Sequence, residues 1–284
     1  MSLPVRPGFE GIGPARLRVL GGVVLAELRS RFGVEAEAKV LAGEVVCADG
    51  TVVTSATVLP AGAFVYLYRD LPSEIEVPFE MPVLYRDENI VVVDKPHFLA
   101  TMPRGGHVVQ TALVRLRRSL ELWELSPAHR LDRLTAGVLV FTVRREVRGA
   151  YQTLFASGAV SKTYLARSSS GVLAGPVECR SRIVKRRGSL QALEEPGEVN
   201  AVSLVEPLGD GLFRLTPSTG RTHQLRVHMN ALGLPIDGDP LYPTVLDVDP
   251  GDFSSPLQLL ALRLAFTDPV TGASRSFVSE HTLG

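Results

Sequence analysis

Beyond residue 90 the chain carries many short runs of β-branched and aliphatic residues, with too few helical stretches between them for a repeating strand–helix–strand plan. "IVVV" at residues 90–93, "GVLVFTV" at 137–143, "KTYLARS", "VNAVSLVEPL" and "LFRLTPST" each read as a strand, and "LQLLALRLAFTDPVTGASRSFVS" as a closing hairpin. Parallel neighbours would need a long crossover, usually helical, at each step. Helical spacing appears only three times. Residues 110–122 place Leu113, Leu116 and Leu120 on one face and leave Arg115 and Arg118 to solvent. Val147, Tyr151, Leu154 and Phe155 mark a second helix; residues 222–232 make a third, burying Leu225, Met229 and Leu232 and ending at Gly233. The pattern predicts an α+β fold, a mixed, mainly antiparallel sheet with flanking helices. Neither GxGxxG nor GxxxxGK[ST] occurs, so a nucleotide cofactor has no sequence support.

Upstream, residues 15–72 read as a small α+β unit. An apolar-periodic stretch "RLRVLGGVVLAELRSRFG" precedes "AKVLAGEVVCADGTVVTSATVLPAGAFVYLYRD", whose DG and AG turns suggest short antiparallel strands. Residues 1–14 form a tail. The expected linker, residues 73–82, lies in the proline- and glutamate-rich "LPSEIEVPFEMP", and the main domain spans 83–284. No apolar run is long enough for a bilayer span, and the start lacks the apolar core of a signal peptide. Cys47 and Cys179 lie far apart without a CxxC. These features predict a cytoplasmic, membrane-free, monomeric protein.

Formal net charge is zero, but it is unevenly placed. Residues 1–100 hold 9 basic and 13 acidic side chains, 101–190 hold 16 and 5, and 191–284 hold 5 and 12. A basic middle between acidic flanks fits an anion-binding surface, and equally a solvated basic face.

Within that middle, "PAHRLDRLTAG" sets one carboxylate, Asp132, between Arg130 and Arg133, with His129 just upstream. At the mouth of a buried strand an acid is held rigidly yet can face a cleft, and flanking arginines would favour its ionised form. A structural ion pair is the plainer alternative. On a helix from Thr222, His223, Arg226 and Asn230 share a side next to the buried stripe, making Arg226 either a site cation or an arginine whose head reaches water. His129, Asp132, His223 and His228 have poor metal-ligand spacing. A glycosidase would need a second carboxylate near Asp132, and Asp237 and Asp239 in "PIDGDPLYP" read as turn residues. Tyr164 is either a base-stacking aromatic or an ordinary core one.

Together, "HRLDRLTAGVLVFT", "KTYLA" and "TGRTHQLRVHMNALGLPIDGDPLY" resemble the motifs of the RluA-type pseudouridine synthases, and "VLYRDENIVVVDKP" resembles that family's first catalytic-domain strand. More weakly, residues 15–72 resemble an S4-type RNA-binding domain. The resemblance implies the pseudouridine synthase fold, structured RNA (rRNA or tRNA) as partner, no cofactor and no metal. It implies Asp132 as catalytic aspartate, Tyr164 as the aromatic beside the target base and Arg226 as the cation pairing with Asp132. Arg130 is similar to the arginine that holds or replaces a flipped nucleotide. His129, Arg133, Arg221, His223 and Gln224 fall in the same motifs as substrate-binding positions. The implied reaction breaks the N1 glycosidic bond of a uridine, rotates the uracil and rejoins it through C5. Two chemistries fit Asp132: attack on C1′, or proton removal giving a glycal. An RNA-binding protein that kept the surface without the chemistry is the alternative, and a metal-dependent hydrolase a third. Four departures stand out: "TAG" for the usual TSG, His97 and Phe98 in place of the glycine after "KP", acidic "VEAEAK" in the S4-like unit, and "LLALRL" without the usual histidine.

Overall fold

A computed structural model describes residues 11–67, 70–71 and 73–284 of the chain. Most of the expected tail, and three residues near the expected linker, lie outside the described residues. Two compact units emerge, Met1–Ser73 and Glu74–Gly284.

In the first unit, β1 (Ala15–Arg18), β5 (Phe64–Leu67) and β3 (Val45–Cys47) form an antiparallel sheet, and β2 (Gly22–Val23) pairs with β4 (Val58–Leu59). Helices α1 (Val24–Phe32) and α2 (Val34–Leu41) supply Val24, Leu28 and Val40 to a core shared with Val45 and Val65. Residues 38–41, expected at the head of a strand run, instead complete α2, where Ala36 and Val40 fall on one buried face.

The second unit is built on β6 (Val83–Arg86), β7 (Ile90–Lys95), β8 (Ser126–Pro127), β9 (Ala136–Thr142), β10 (Ser161–Arg167), β11 (Val177–Ser181), β14 (Ala201–Gly209), β15 (Leu212–Pro217), β16 (Leu259–Thr267) and β17 (Ser274–Val278). They make one sheet in the order β11-β14-β15-β10-β16-β9-β7-β6, with β17 also on β16 and β8 also on β9. Every pairing is antiparallel except β16 with β9. A separate hairpin joins β12 (Ile183–Val184) to β13 (Leu193–Glu194).

Why β7 and β9 read as continuous apolar runs is now plain. Successive strand residues point to opposite faces, and both faces are covered. Val91, Val93, Leu139 and Phe141 enter one core with α3 (Ala112–Leu120) and α5 (Gln224–Ala231). Ile90, Val92, Val138 and Val140 enter another with α4 (Arg148–Ala156).

Helix α3 starts at Thr111, whose hydroxyl accepts from Val114 N. Arg115 was expected to face solvent. Instead it reaches back to donate to Val77 O, Phe79 O (2.8 Å) and Gln110 Oε1. Residues 74–82 have no regular structure but are fastened. The Glu74 carboxylate accepts from three successive amides, Val108 (3.0 Å), Val109 (2.7 Å) and Gln110 (3.0 Å).

Candidate active site

Asp132 lies in the loop between β8 and β9, and the β7–α3 segment holds that loop at four points. Thr101 Oγ1 donates to Leu131 O (2.7 Å) and accepts from Leu131 N (3.1 Å). His97 Nδ1 meets Leu134 O at 2.7 Å. The fully buried Lys95 ammonium donates to Pro96 O and Leu99 O (both 2.9 Å) and to Arg133 O (3.4 Å). Burial drives the Lys95 pKa down to about 7, opposed by the Asp132 charge. Leu131 and Leu134 anchor the loop in the core. Asp132, with about a third of its side chain exposed, is thereby presented to a cleft of about 690 Å³.

That cleft draws six cations to its walls: Arg104, Arg130, Arg133, Lys162, Arg221 and Arg226. Asp132 is the one carboxylate lining it among the described residues. Field lines from such a surface attract polyanions.

Arg226 stands within ion-pair range of Asp132 but has a nearer partner. Rather than putting its head in water, it is 2% exposed, and its first partner is Asp239. Nε and Nη2 grip that carboxylate at 2.8 and 2.6 Å, while Nη1 stands 3.6 Å from Asp132 Oδ2. Burial works against the guanidinium charge, but the Asp239 hydrogen bonds and both carboxylates outweigh it and raise the pKa. Asp239 is itself fixed by the amides of Leu241 (2.8 Å) and Tyr242 (3.2 Å), and the Tyr242 ring lies under the guanidinium at 5.3 Å. Asp239 and Tyr242 belong to the site's framework, although Asp239 had read as a turn residue. The signal was an acid within "GDPLY", close behind a helix carrying a buried arginine.

His223 also moves. It sits outside α5 as its N-cap in a left-handed conformation (φ 58°), so it does not share a helical face with Arg226 and Asn230. Its Nδ1 lies 3.0 Å from Tyr242 Oη and its Nε2 3.8 Å from Asp132 Oδ2. Burial lowers its pKa, with the Asp132 charge opposing. The flanking Arg130 and Arg133 line the cleft, yet among the described residues Asp132 is within ion-pair range of Arg226 and His223 instead.

Two other candidates, His129 and Gln224, serve the scaffold, and Arg221 does so in part. His129 accepts the Val140 N–H on Nε2 (3.2 Å) and stacks on Phe155 at 4.3 Å. Burial, then Lys162, lowers its pKa to about 3, so it is neutral. Gln224 donates to Val202 O (2.9 Å) and Ser203 Oγ (2.8 Å) and accepts from Arg221 N (3.0 Å) and Thr219 Oγ1 (2.7 Å). Its amide is fully used within the protein, which corrects its assignment as a ligand contact. Arg221 Nε is held by Asn200 O at 3.0 Å while its side chain remains exposed at the cleft.

Tyr164 enters from β10 at a bulge. Thr163 pairs with Arg263 and Leu165 with Leu260, so two residues of β16 stand opposite the single Tyr164. Bulges of this kind re-aim side chains beside sites. Its phenol pKa is raised by burial and then by the Asp132 charge. Phe98, where a glycine is usual, keeps the glycine-like φ of 65°. Among the described residues no three His, Cys, Asp or Glu side chains are grouped to hold a metal, and no helix is long and apolar enough to cross a membrane.

Comparison with known proteins places this geometry. The family model described as RNA pseudouridylate synthase matches residues 89–231. The Dual-specificity RNA pseudouridine synthase RluA of Salmonella typhi is 33% identical over 206 residues, 69% of this chain and 90% of the relative. The Homo sapiens Pseudouridylate synthase RPUSD2 is 33% identical over 184 residues; the match covers 63% of this chain but only 33% of that longer protein. Among solved structures, Human RNA Pseudouridylate Synthase Domain Containing 4 aligns with TM-score 0.55 at 26% identity, covering 71% of this chain and 88% of that one. Human RNA Pseudouridylate Synthase Domain Containing 1 shares the fold, with TM-score 0.58 at 23% identity over 74% and 86% of the two chains. With a mainly antiparallel sheet, a family model matching residues 89–231 and an RluA relative matched over 90% of its length, the chain belongs to the RNA pseudouridylate synthase family, in its RluA-type branch.

Proposed function

We propose that this chain converts uridine in structured rRNA or tRNA to pseudouridine, with Asp132 acting at the ribose of the target nucleotide. The observation that carries this is a single carboxylate, rigidly presented in a cleft of six cations and accompanied by an arginine whose own charge Asp239 secures. Arg226 Nη1 stands 3.6 Å from the Asp132 carboxylate, a cation beside the acting group. The cationic walls hold phosphates. Extracting a uridine from its stack costs a few kcal/mol, which stacking on Tyr164 and polar contacts offset. Arg130 is exposed at the cleft, and by its resemblance to the family's arginine it takes the space the base leaves.

Asp132→Asn tests the reading. The variant is expected to fold and bind structured RNA from cells lacking the gene, while the wild type forms pseudouridine in that RNA and the variant forms none. Full activity in the variant refutes the role of Asp132. Inactivity of the wild type on every structured cellular RNA favours the alternative, an RNA-binding protein of this fold without the chemistry.

A further inference from the structure

The isomerisation moves a proton as well as a base. It breaks N1–C1′ and C5–H and forms C5–C1′ and N1–H. When C5 has joined C1′, its remaining hydrogen must leave: the C5–H electron pair becomes the C5–C6 double bond, the C6–N1 pair returns to N1, and N1 takes a proton from water. Some group in the cleft must accept the C5 proton; Asp132, released from the sugar once C5–C1′ has formed, is one acceptor there, and the imidazole of His223 beside it is another.

We infer that His223 is the base that receives the proton from uracil C5, a role that rests on the isomerase reading above. Apart from Asp132, 3.8 Å away, elimination among the cleft groups leaves His223. The five arginines are cations with no basic lone pair. Lys162 is placed as an ammonium over the Phe155 ring at 5.9 Å. The Nε2 lone pair of His129 is taken by Val140 N–H. The Tyr164 phenol holds its proton more tightly than usual. His107 is exposed on the rim turn closed by Arg104 and His107.

The hydrogen bonds around Tyr242 fix which nitrogen of His223 is bare. Tyr242 Oη lies 2.8 Å from both Ala192 N and Ala192 O. The amide must donate and the carbonyl must accept, so the single phenol proton goes to the carbonyl. The remaining phenol lone pair then accepts from His223 Nδ1–H at 3.0 Å. One nitrogen's partner sets the tautomer of the other, and Nε2 is left as an unprotonated base. It faces Asp132 Oδ2 at 3.8 Å, so a proton arriving there is shared by two acceptors. Burial and the charges of Arg226 and Lys185 disfavour the imidazolium, while Asp132 and Asp239 favour it; the balance lowers the pKa and keeps the ring neutral until substrate supplies the proton. The backbone adds a second sign. His223 is held at φ 58°, a left-handed conformation disfavoured for a side-chain-bearing residue, kept where it sets a ring against the site.

The experiment uses His223→Asn. Asparagine tolerates the left-handed backbone and offers an amide near the Nδ1 position, but has no base. With RNA from cells lacking the gene, kcat is expected to fall about 100-fold with RNA affinity unchanged. Deuterium at uridine C5 slows the variant further, because proton loss has become limiting, and the acid limb that imidazole protonation gives the wild type disappears. A variant whose rate shows neither the C5 isotope effect nor a changed pH profile overturns the proposal and leaves His223 structural. Nitrogen NMR of the wild-type imidazole provides a test without substitution: an Nδ1–H tautomer is expected, and an Nε2–H tautomer overturns the assignment. A wild type that forms no pseudouridine refutes the isomerase reading, and this inference with it.

Discussion

At the scale of residues, the site depends on a charge buried with one good partner. Asp239→Ala strips Arg226 of its bidentate acceptor while leaving it 2% exposed. Breaking a buried pair by removing one member costs about 3–5 kcal/mol, so urea unfolding of this variant is expected to show a loss of that order, with activity falling as Arg226 turns toward Asp132. The neutral histidines give a pH signature. His129 and His97 have pKa values lowered by burial to about 3 and about 4, below the ordinary 6.5 they regain on unfolding. Their contribution is therefore complete above pH 6.5 and is lost as the pH falls through that value toward the folded pKa values. Each contributes a slope of up to about 1.4 kcal/mol per pH unit. In urea titrations between pH 7 and 4.5, His129→Gln is expected to flatten this decline, and an unchanged slope refutes the assignment. Asp132, Tyr164 and Arg226 were singled out by resemblance to family motifs, and the fold brings all three to one cleft. Asp239, Tyr242 and Lys95 were not, because their partners lie across the fold: an acid in a turn reads alike whether it meets water or a guanidinium.

At the scale of elements, the one parallel pairing in the sheet sets the site's tolerance. β9 leaves the Asp132 loop through Ala136 and Gly137, which pair with Leu260 and Ala261 of β16. Gly137 has φ 112°, and a Cβ there would stand 2.3 Å from Ala261 O. No flexible side chain can yield in that contact. Gly137→Ala is expected to lose about 2–4 kcal/mol through overpacking and backbone strain together, seen as a lower urea midpoint and a Tyr164 displaced with the β16 bulge. Buried runs announced β7, β9 and β16 in the sequence, and apolar spacing announced α3 and α5. Arg115 did not announce itself, since helical spacing assigns a face to solvent without knowing which segment will cross it. α2 was hidden for a related reason: "AKVL" suits a strand or a helix, and packing against α1 decides.

At the scale of the whole molecule, charge is balanced overall and concentrated where the cleft lies. The basic middle segment, ambiguous as a bare run, supplies four of the six cleft cations. RNA binding is expected to weaken steeply with salt, and Arg221→Ala to reduce the slope of log K against log salt by about 1 without changing sequence preference. In the first unit the helix cations have local partners: Arg29 with Glu37, Arg31 with Glu27, and Lys39 with Glu44 and Asp70. That self-pairing offers phosphates little, in keeping with the acidic "VEAEAK". Finally, the three amides gathered by Glu74 decide where a gene for the second unit can begin. A fragment opening at Val83, where regular structure resumes, leaves those amides without their acceptor and Arg115 without Val77 and Phe79. One opening at Glu74 keeps every one of these bonds, and it is the fragment expected to survive protease and to melt at the higher temperature.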